Sequence, residues 1–194
     1  MTESEPILRV ATYNVRGCAG MDGQRSEARI AEVIASMSAD IVGLQELDLS
    51  RARSAGADQA ALIAAQLGWK HFFHPAMRNG DEQYGDAIVS RYPLVLKRAE
   101  ELPGAAPWYC REKRVAIWME AETALGPVQF INSHFGLGRA ERRVQAQLLI
   151  GDDWLGSIPA HAPAILLGDF NSRRSSRTYR LIAEKLRDVR TLIQ

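Results

Sequence analysis

Four short apolar runs in this 194-residue chain each stop at a cluster of polar side chains. Residues 7–13 stop at Asn14, residues 41–44 at Gln45-Glu46, residues 128–131 at Asn132-Ser133-His134, and residues 164–167 at Gly168-Asp169-Phe170-Asn171. Runs of this length, rich in Ile, Val and Leu, form strands. In open α/β sheets, residues just past the carboxyl ends of strands face the crevice in which ligands bind. The four ends can therefore converge although they are far apart in sequence.

The segments between them set the architecture. From Ser26 to Met37 apolar residues recur at helical spacing, with Ser26 or Asp22 as start signal, and residues 57–67 form a second helix that Gly68 ends. The chain thus opens β-α-β-α. Further β-leaning runs follow at residues 69–74, 86–90, 94–99 and 114–122, broken by Arg91-Tyr92-Pro93 and by residues 103–107. Their short spacing predicts antiparallel neighbours. Helices are expected over residues 139–155 and 175–186, so the pattern predicts a mixed α/β sandwich in a single domain spanning residues 1–194.

Composition excludes several classes. An apolar fraction of 46% with 24% charged residues argues against both disorder and a fibrous architecture. The net charge of +1 lacks the basic excess of a protein that holds nucleic acid mainly by charge. No run of about 18 apolar residues occurs, and Glu3 and Glu5 stand where a secretory signal would be basic, so a cytoplasmic location is expected. Cys18 and Cys110, far apart, fit free thiols in a reducing compartment.

The polar ends supply two carboxylates, an imidazole and amides. Phosphate-ester hydrolysis needs oxygen ligands for a hard cation, a base for the attacking water and fixed donors for the developing charge. Each residue alone has a simpler reading. An Asn after a strand closes an Asx-turn, a Glu at a strand end is commonly solvated or capping, a lone His is commonly structural, and Asp-x-Asn is a turn and cap pattern. Four such ends in one chain favour the shared site. His71, His74 and His161 have no comparable setting and are read as structural.

The motifs also resemble those of the endonuclease/exonuclease/phosphatase superfamily, the group related to DNase I. Ala11-Thr12-Tyr13-Asn14-Val15-Arg16 is similar to its opening strand, and Val42-Gly43-Leu44-Gln45-Glu46 to its Leu-Gln-Glu metal motif. The stretch from Tyr84 to Pro93, Asn132-Ser133-His134-Phe135 and Leu167-Gly168-Asp169-Phe170-Asn171 continue the series in order, over about residues 8–180. The resemblance implies a four-layer α/β sandwich with two central, mixed, largely antiparallel sheets flanked by helices. It implies a phosphodiesterase or phosphatase that uses Mg²⁺ or Mn²⁺. Glu46 would ligate the metal and Asn14 would assist there or at the phosphate. Asp169 would activate the water, while Asn171 and His134 would hydrogen-bond phosphoryl oxygens. Arg114 and Tyr84 are candidate substrate contacts. The substrate class is a phosphate ester, with nucleic acid and phospholipid-type diesters both open; no obligate protein partner is evident.

Two departures matter. Asp86 replaces the family's usual Asn, adding a negative charge that could recruit a second cation or weaken phosphate binding. The family's closing strands, with their Ser-Asp-His motif, have no counterpart, since residues 172–194 contain no His. The chain is expected to be C-terminally incomplete, with impaired activity and an exposed edge that invites self-association. The alternative is a phosphate-binding module without catalysis. Finally, Arg139, Arg142, Arg143, Arg173, Arg174, Arg177 and Arg180 follow two of the motifs; they either steer a polyanion at the cleft rim or form solvated helix faces.

Overall fold

A computed structural model describes residues 6–104, 107, 108 and 110–192; Glu3, Glu5 and part of the break at residues 103–107 lie outside them. The described elements are β1 (Val10–Asn14), α1 (Glu27–Ser36), β2 (Ile41–Leu49), α2 (Gln59–Leu67), β3 (Lys70–Asn79), β4 (Glu82–Ser90), β5 (Leu94–Glu101), β6 (Val115–Thr123), β7 (Gly126–His134), α3 (Arg139–Leu149), β8 (Ala164–Asp169) and α4 (Arg177–Ala183). The strands form two four-stranded sheets, ordered β1-β2-β4-β3 and β5-β6-β7-β8. Among the described residues, only β1 with β2 and β7 with β8 run parallel.

Three apolar clusters define four layers. Ile30, Ile34 and Ile63 of α1 and α2 pack on Val42, Leu44 and Val89 of the first sheet. Ile41, Ile88, Ile117, Phe130 and Leu167 fill the space between the sheets. Ala146 and Leu149 of α3 and Ile182 of α4 cover Ala116 and Ile131 on the outside of the second sheet. This is the four-layer sandwich that the resemblance implied.

Local chemistry sets the helix ends. Ser26 Oγ accepts from the Arg29 N–H and Asp58 Oδ1 from the Ala61 N–H, each occupying an otherwise orphaned first-turn donor. Gly68 ends α2 in the left-handed region at φ 69°. Helix α3 stops at Leu149, short of the predicted residue 155. Gly151 turns the chain there, returning Trp154 to a fully buried position where its indole N–H donates to Glu100. Burying that ring outweighs continuing the helix. Among the described residues, no helix is long and apolar enough to cross a membrane.

Candidate active site

Strand alternation carries the polar run-ends into one cleft. On β7, Val128 and Phe130 face the inter-sheet core, so Asn132 and His134 continue the same face. On β8, Ile165 and Leu167 do so, leading to Asp169; on β1, Val10 leads to Asn14. The space between the sheets is thus apolar along most of its length and polar at one end. His134 pairs in register with Asp169, and Asn14 with Gln45. Gly168 permits the approach of β8 to β7: it sits at φ 145°, and a Cβ there would lie 1.8 Å from Ser133 O.

Glu46 reaches the cleft differently. The sequence reading made it a strand end, but β2 continues to Leu49 through a bulge in which Gln45 and Glu46 together oppose Asp86. Unbroken alternation would turn Glu46 toward the α1–α2 layer. The bulge, with Glu46 at φ 64°, resets the phase so that Leu47 returns to that apolar layer. Such a backbone costs a β-type residue about 1 kcal/mol or more, a strain typical of functional positions. Asn171, at φ 46°, is the other left-handed residue of the site.

At the cleft the Asn14 amide joins the two carboxylates: Nδ2 donates to Glu46 Oε1 at 2.7 Å and to Asp169 Oδ2 at 3.2 Å. Asp169 Oδ1 accepts from the Asn171 N–H at 3.0 Å. The Asp-x-Asn turn suggested by its sequence is therefore present, and it brings Asn171 to the site. The Asn171 amide donates to Phe135 O at 2.8 Å and lies 3.1 Å from His134 Nε2. Asn14, Glu46, His134, Asp169 and Asn171 form one cluster, with His134 buried and the two carboxylates half-buried.

Arg114 and Tyr84 lie in a layer behind it. Arg114 is buried, with Nη1 3.1 Å from His134 Nδ1 and Nη2 3.2 Å from Glu112. Arg114 Nη1 and Asn171 Nδ2 are both donors and face opposite ring nitrogens, so the neutral imidazole, with one acceptor nitrogen, can accept from only one of them. Burial, and then Arg114, push the His134 imidazole down to about 4, against the opposing pull of Asp169 and Glu46. Tyr84 is buried beneath the guanidinium groups of Arg51 and Arg53, 5.5 and 5.4 Å from its ring centroid; burial and the Glu112 carboxylate raise its hydroxyl pKa. Neither residue touches the Asn14–Glu46–Asp169 cluster through a hydrogen bond among the described residues.

Asp86 is also buried, with Oδ1 3.4 Å from the Glu46 N–H and Oδ2 unpartnered. Burial pushes its carboxyl up to about 8, outweighing the Glu46 N–H and Arg114. At neutral pH it is mostly a neutral acid, able to accept at one oxygen as an Asn would. The extra charge expected there from sequence is thereby largely suppressed.

Asn132 and Gln45, in sequence no more than parts of polar strand ends, form the tie between the sheets. Asn132 Nδ2 donates to Leu44 O at 3.1 Å and Ala87 O at 2.9 Å, and Gln45 Nε2 donates to Asn132 Oδ1 at 2.8 Å. Gly43 makes room, since a Cβ there would lie 1.9 Å from Leu167 Cδ1 and 2.6 Å from Asn132 Oδ1. No periodicity signals such a pairing, because its partners are 87 and 88 residues apart.

The donor set fits a hard divalent cation. Glu46 and Asp169 are half-exposed carboxylates, neither paired with a Lys or Arg among the described residues; Asn14 turns its amide nitrogen to both, while its Oδ1 accepts from the Arg16 N–H. Magnesium is commonly held by one or two carboxylates, with water and substrate phosphate completing its shell. A closed cage of the zinc type does not fit: among the described residues no group of three His, Cys, Asp or Glu side chains has the placement to hold a metal ion by itself.

Comparison with known proteins agrees with this fold. The Endonuclease/Exonuclease/phosphatase family profile matches residues 11–190. The uncharacterized protein YbhP of Escherichia coli K12 is 26% identical over 189 residues, covering 90% of this chain and 70% of YbhP. A mannosyl-6-phosphatase from Bacteroides thetaiotaomicron superposes with a TM-score of 0.70 at 23% identity, over 92% of this chain and 71% of that one. An endonuclease/exonuclease/phosphatase from Beutenbergia cavernae gives 0.70 at 20% identity, over 91% of this chain; the match spans about half of that protein, 52%. These two likenesses concern the fold, while the family profile covers most of the chain and its motifs. The chain belongs to the endonuclease/exonuclease/phosphatase family, whose members are hydrolytic enzymes acting on phosphate esters.

Proposed function

We propose that the protein is a divalent-metal-dependent phosphodiesterase in which Asp169 serves as base. The observation that carries this reading is the single Asn14 amide shared by the Glu46 and Asp169 carboxylates, beside a neutral His134. Asp169 takes a proton from water, the water oxygen bonds to phosphorus, the ester P–O bond breaks, and the leaving alkoxide takes a proton from solvent. His134 Nε2 lies 3.9 Å from Asp169 Oδ2, too far for a hydrogen bond. In the Nε2–H tautomer His134 would offer, beside the Asn171 amide, a donor suited to phosphoryl oxygens. A bound Mg²⁺ or Mn²⁺, with Glu46 and Asn14 as ligands, supplies charge neutralisation for the phosphate.

The test is hydrolysis of bis-p-nitrophenyl phosphate with Mg²⁺ or Mn²⁺. Turnover should be lost in both Glu46→Gln and Asp169→Asn; turnover that survives both substitutions overturns the assignment. One observation favours a second reading, a binding module without catalysis: among the described residues no imidazole hydrogen-bonds Asp169, His134 being neutral and 3.9 Å away. Phosphate uptake by calorimetry without any turnover would select that reading.

A further inference from the structure

The seven arginines that follow the third and fourth motifs do not behave alike. Arg174 pairs with Asp188 at 3.3 Å and lies over the Tyr179 ring, and Arg180 donates to Ser175 O. The other five, Arg139, Arg142, Arg143, Arg173 and Arg177, line one cavity of about 870 Å³ between the first turn of α3 and the segment leading into α4. Asn171 lines it too, so the cavity opens beside the proposed catalytic cluster.

Its electrostatics are one-sided. No carboxylate lines it, and none of the five arginines forms an ion pair among the described residues. Glu141, the acidic residue of the first turn of α3, is buried and accepts from the Gly138 N–H instead. Arg142 is tethered, its Nη1 donating to Gly136 O and Leu137 O in the loop after His134, and its Nε is buried without a partner. Five like charges around one cavity repel one another unless an anion enters. Guanidinium groups favour phosphate through paired N–H donors.

We infer that this cavity is a subsite for a second phosphate group of the substrate, so that the preferred substrates are compact molecules bearing a phosphate besides the one cleaved. The inference rests on the phosphoester reading of the Asn14–Glu46–Asp169 cluster for its link to catalysis. The five guanidinium groups are gathered around one cavity rather than strung along the surface, which favours a compact ligand over a polymer.

Calorimetric titration with inorganic tripolyphosphate, without divalent cation, isolates the subsite, because the uncompensated Glu46 and Asp169 carboxylates then repel anions. One site per chain is expected. Affinity should fall about a hundredfold in the double variant Arg143→Ala/Arg177→Ala, about tenfold per guanidinium lost, as for charge-assisted hydrogen bonds. Arg143→Lys/Arg177→Lys should bind with intermediate affinity. Both arginines are exposed, so an unchanged melting temperature is expected and verifies folding.

With Mg²⁺ restored, kcat/KM for the p-nitrophenyl ester of thymidine 5′-phosphate should rise when the sugar also carries a 3′-phosphate, and the double alanine variant should lose that preference. Absence of tripolyphosphate binding, equal binding by the alanine variant, or competition by single-stranded oligonucleotides that strengthens steadily with length would each overturn the inference. Diester hydrolysis without tripolyphosphate binding would refute the subsite and leave the proposed function standing; binding without hydrolysis would refute the proposed function alone.

Discussion

His134 Nδ1 lies 3.1 Å from the Arg114 guanidinium, and burial together with that permanent cation keeps the imidazole neutral. The ring stays neutral down to about pH 4, whereas in the unfolded chain it takes its proton near 6.5. Its folded pKa is depressed, so its contribution to stability is complete above about pH 6.5 and disappears as pH falls toward 4. The full displacement corresponds to about 3 kcal/mol. Urea midpoints should therefore fall more steeply between pH 7 and 4.5 for the wild type than for His134→Gln; parallel slopes would contradict this. In Arg114→Met, an NMR titration should find the His134 pKa raised.

Asp86 has the opposite sign. Its folded pKa, about 8, stands above the ordinary 3.8, so the folded state holds a proton that the unfolded chain has released. The associated loss of stability accumulates as pH rises from about 4 to about 8 and then levels off. Asp86→Asn should stabilise the protein by an amount that grows across that interval, measured as melting temperature in metal-free buffer. A gain independent of pH would argue against a buried neutral acid.

The amide of Asn14 spans Glu46 Oε1 and Asp169 Oδ2, holding two like charges at a fixed separation. Asn14→Leu should lower kcat/KM for a phosphodiester roughly 10–100-fold, the range seen when partners that orient a metal site are lost. The concentration of Mg²⁺ needed for half-maximal rate should rise as well. A variant with unchanged kinetics would remove Asn14 from the site.

Asn132→Leu should unfold at markedly lower denaturant concentration. It removes the side-chain donor of Leu44 O and Ala87 O and leaves Gln45 Nε2 with Thr12 Oγ1 alone, at about 1–3 kcal/mol for each buried group left unsatisfied. Gly43→Ala should also destabilise, by about 1–3 kcal/mol of overpacking. Both effects are read from equilibrium urea unfolding, and a loss below about 1 kcal/mol in Asn132→Leu would show that the tie between sheets matters little.

What the sequence determined by itself was local. Aliphatic runs gave the strands, Ser26 gave the start of α1 and Gly68 the end of α2, and the strand-end residues Asn14, His134 and Asp169 gave the list of side chains that could meet, because alternation and capping depend on neighbours within a few residues. The end of α3 was not legible, since it is set by where Trp154 finds burial. Nor was the bulge that turns Glu46 into the cleft, which depends on β4 lying opposite β2. Likewise, only the packed sheets bring Arg114 behind His134, bury Asp86 and its charge, and sort five arginines from seven into one cavity. Those outcomes are set by burial and by charges distant in sequence, and both exist only once the sheets and helices have come together.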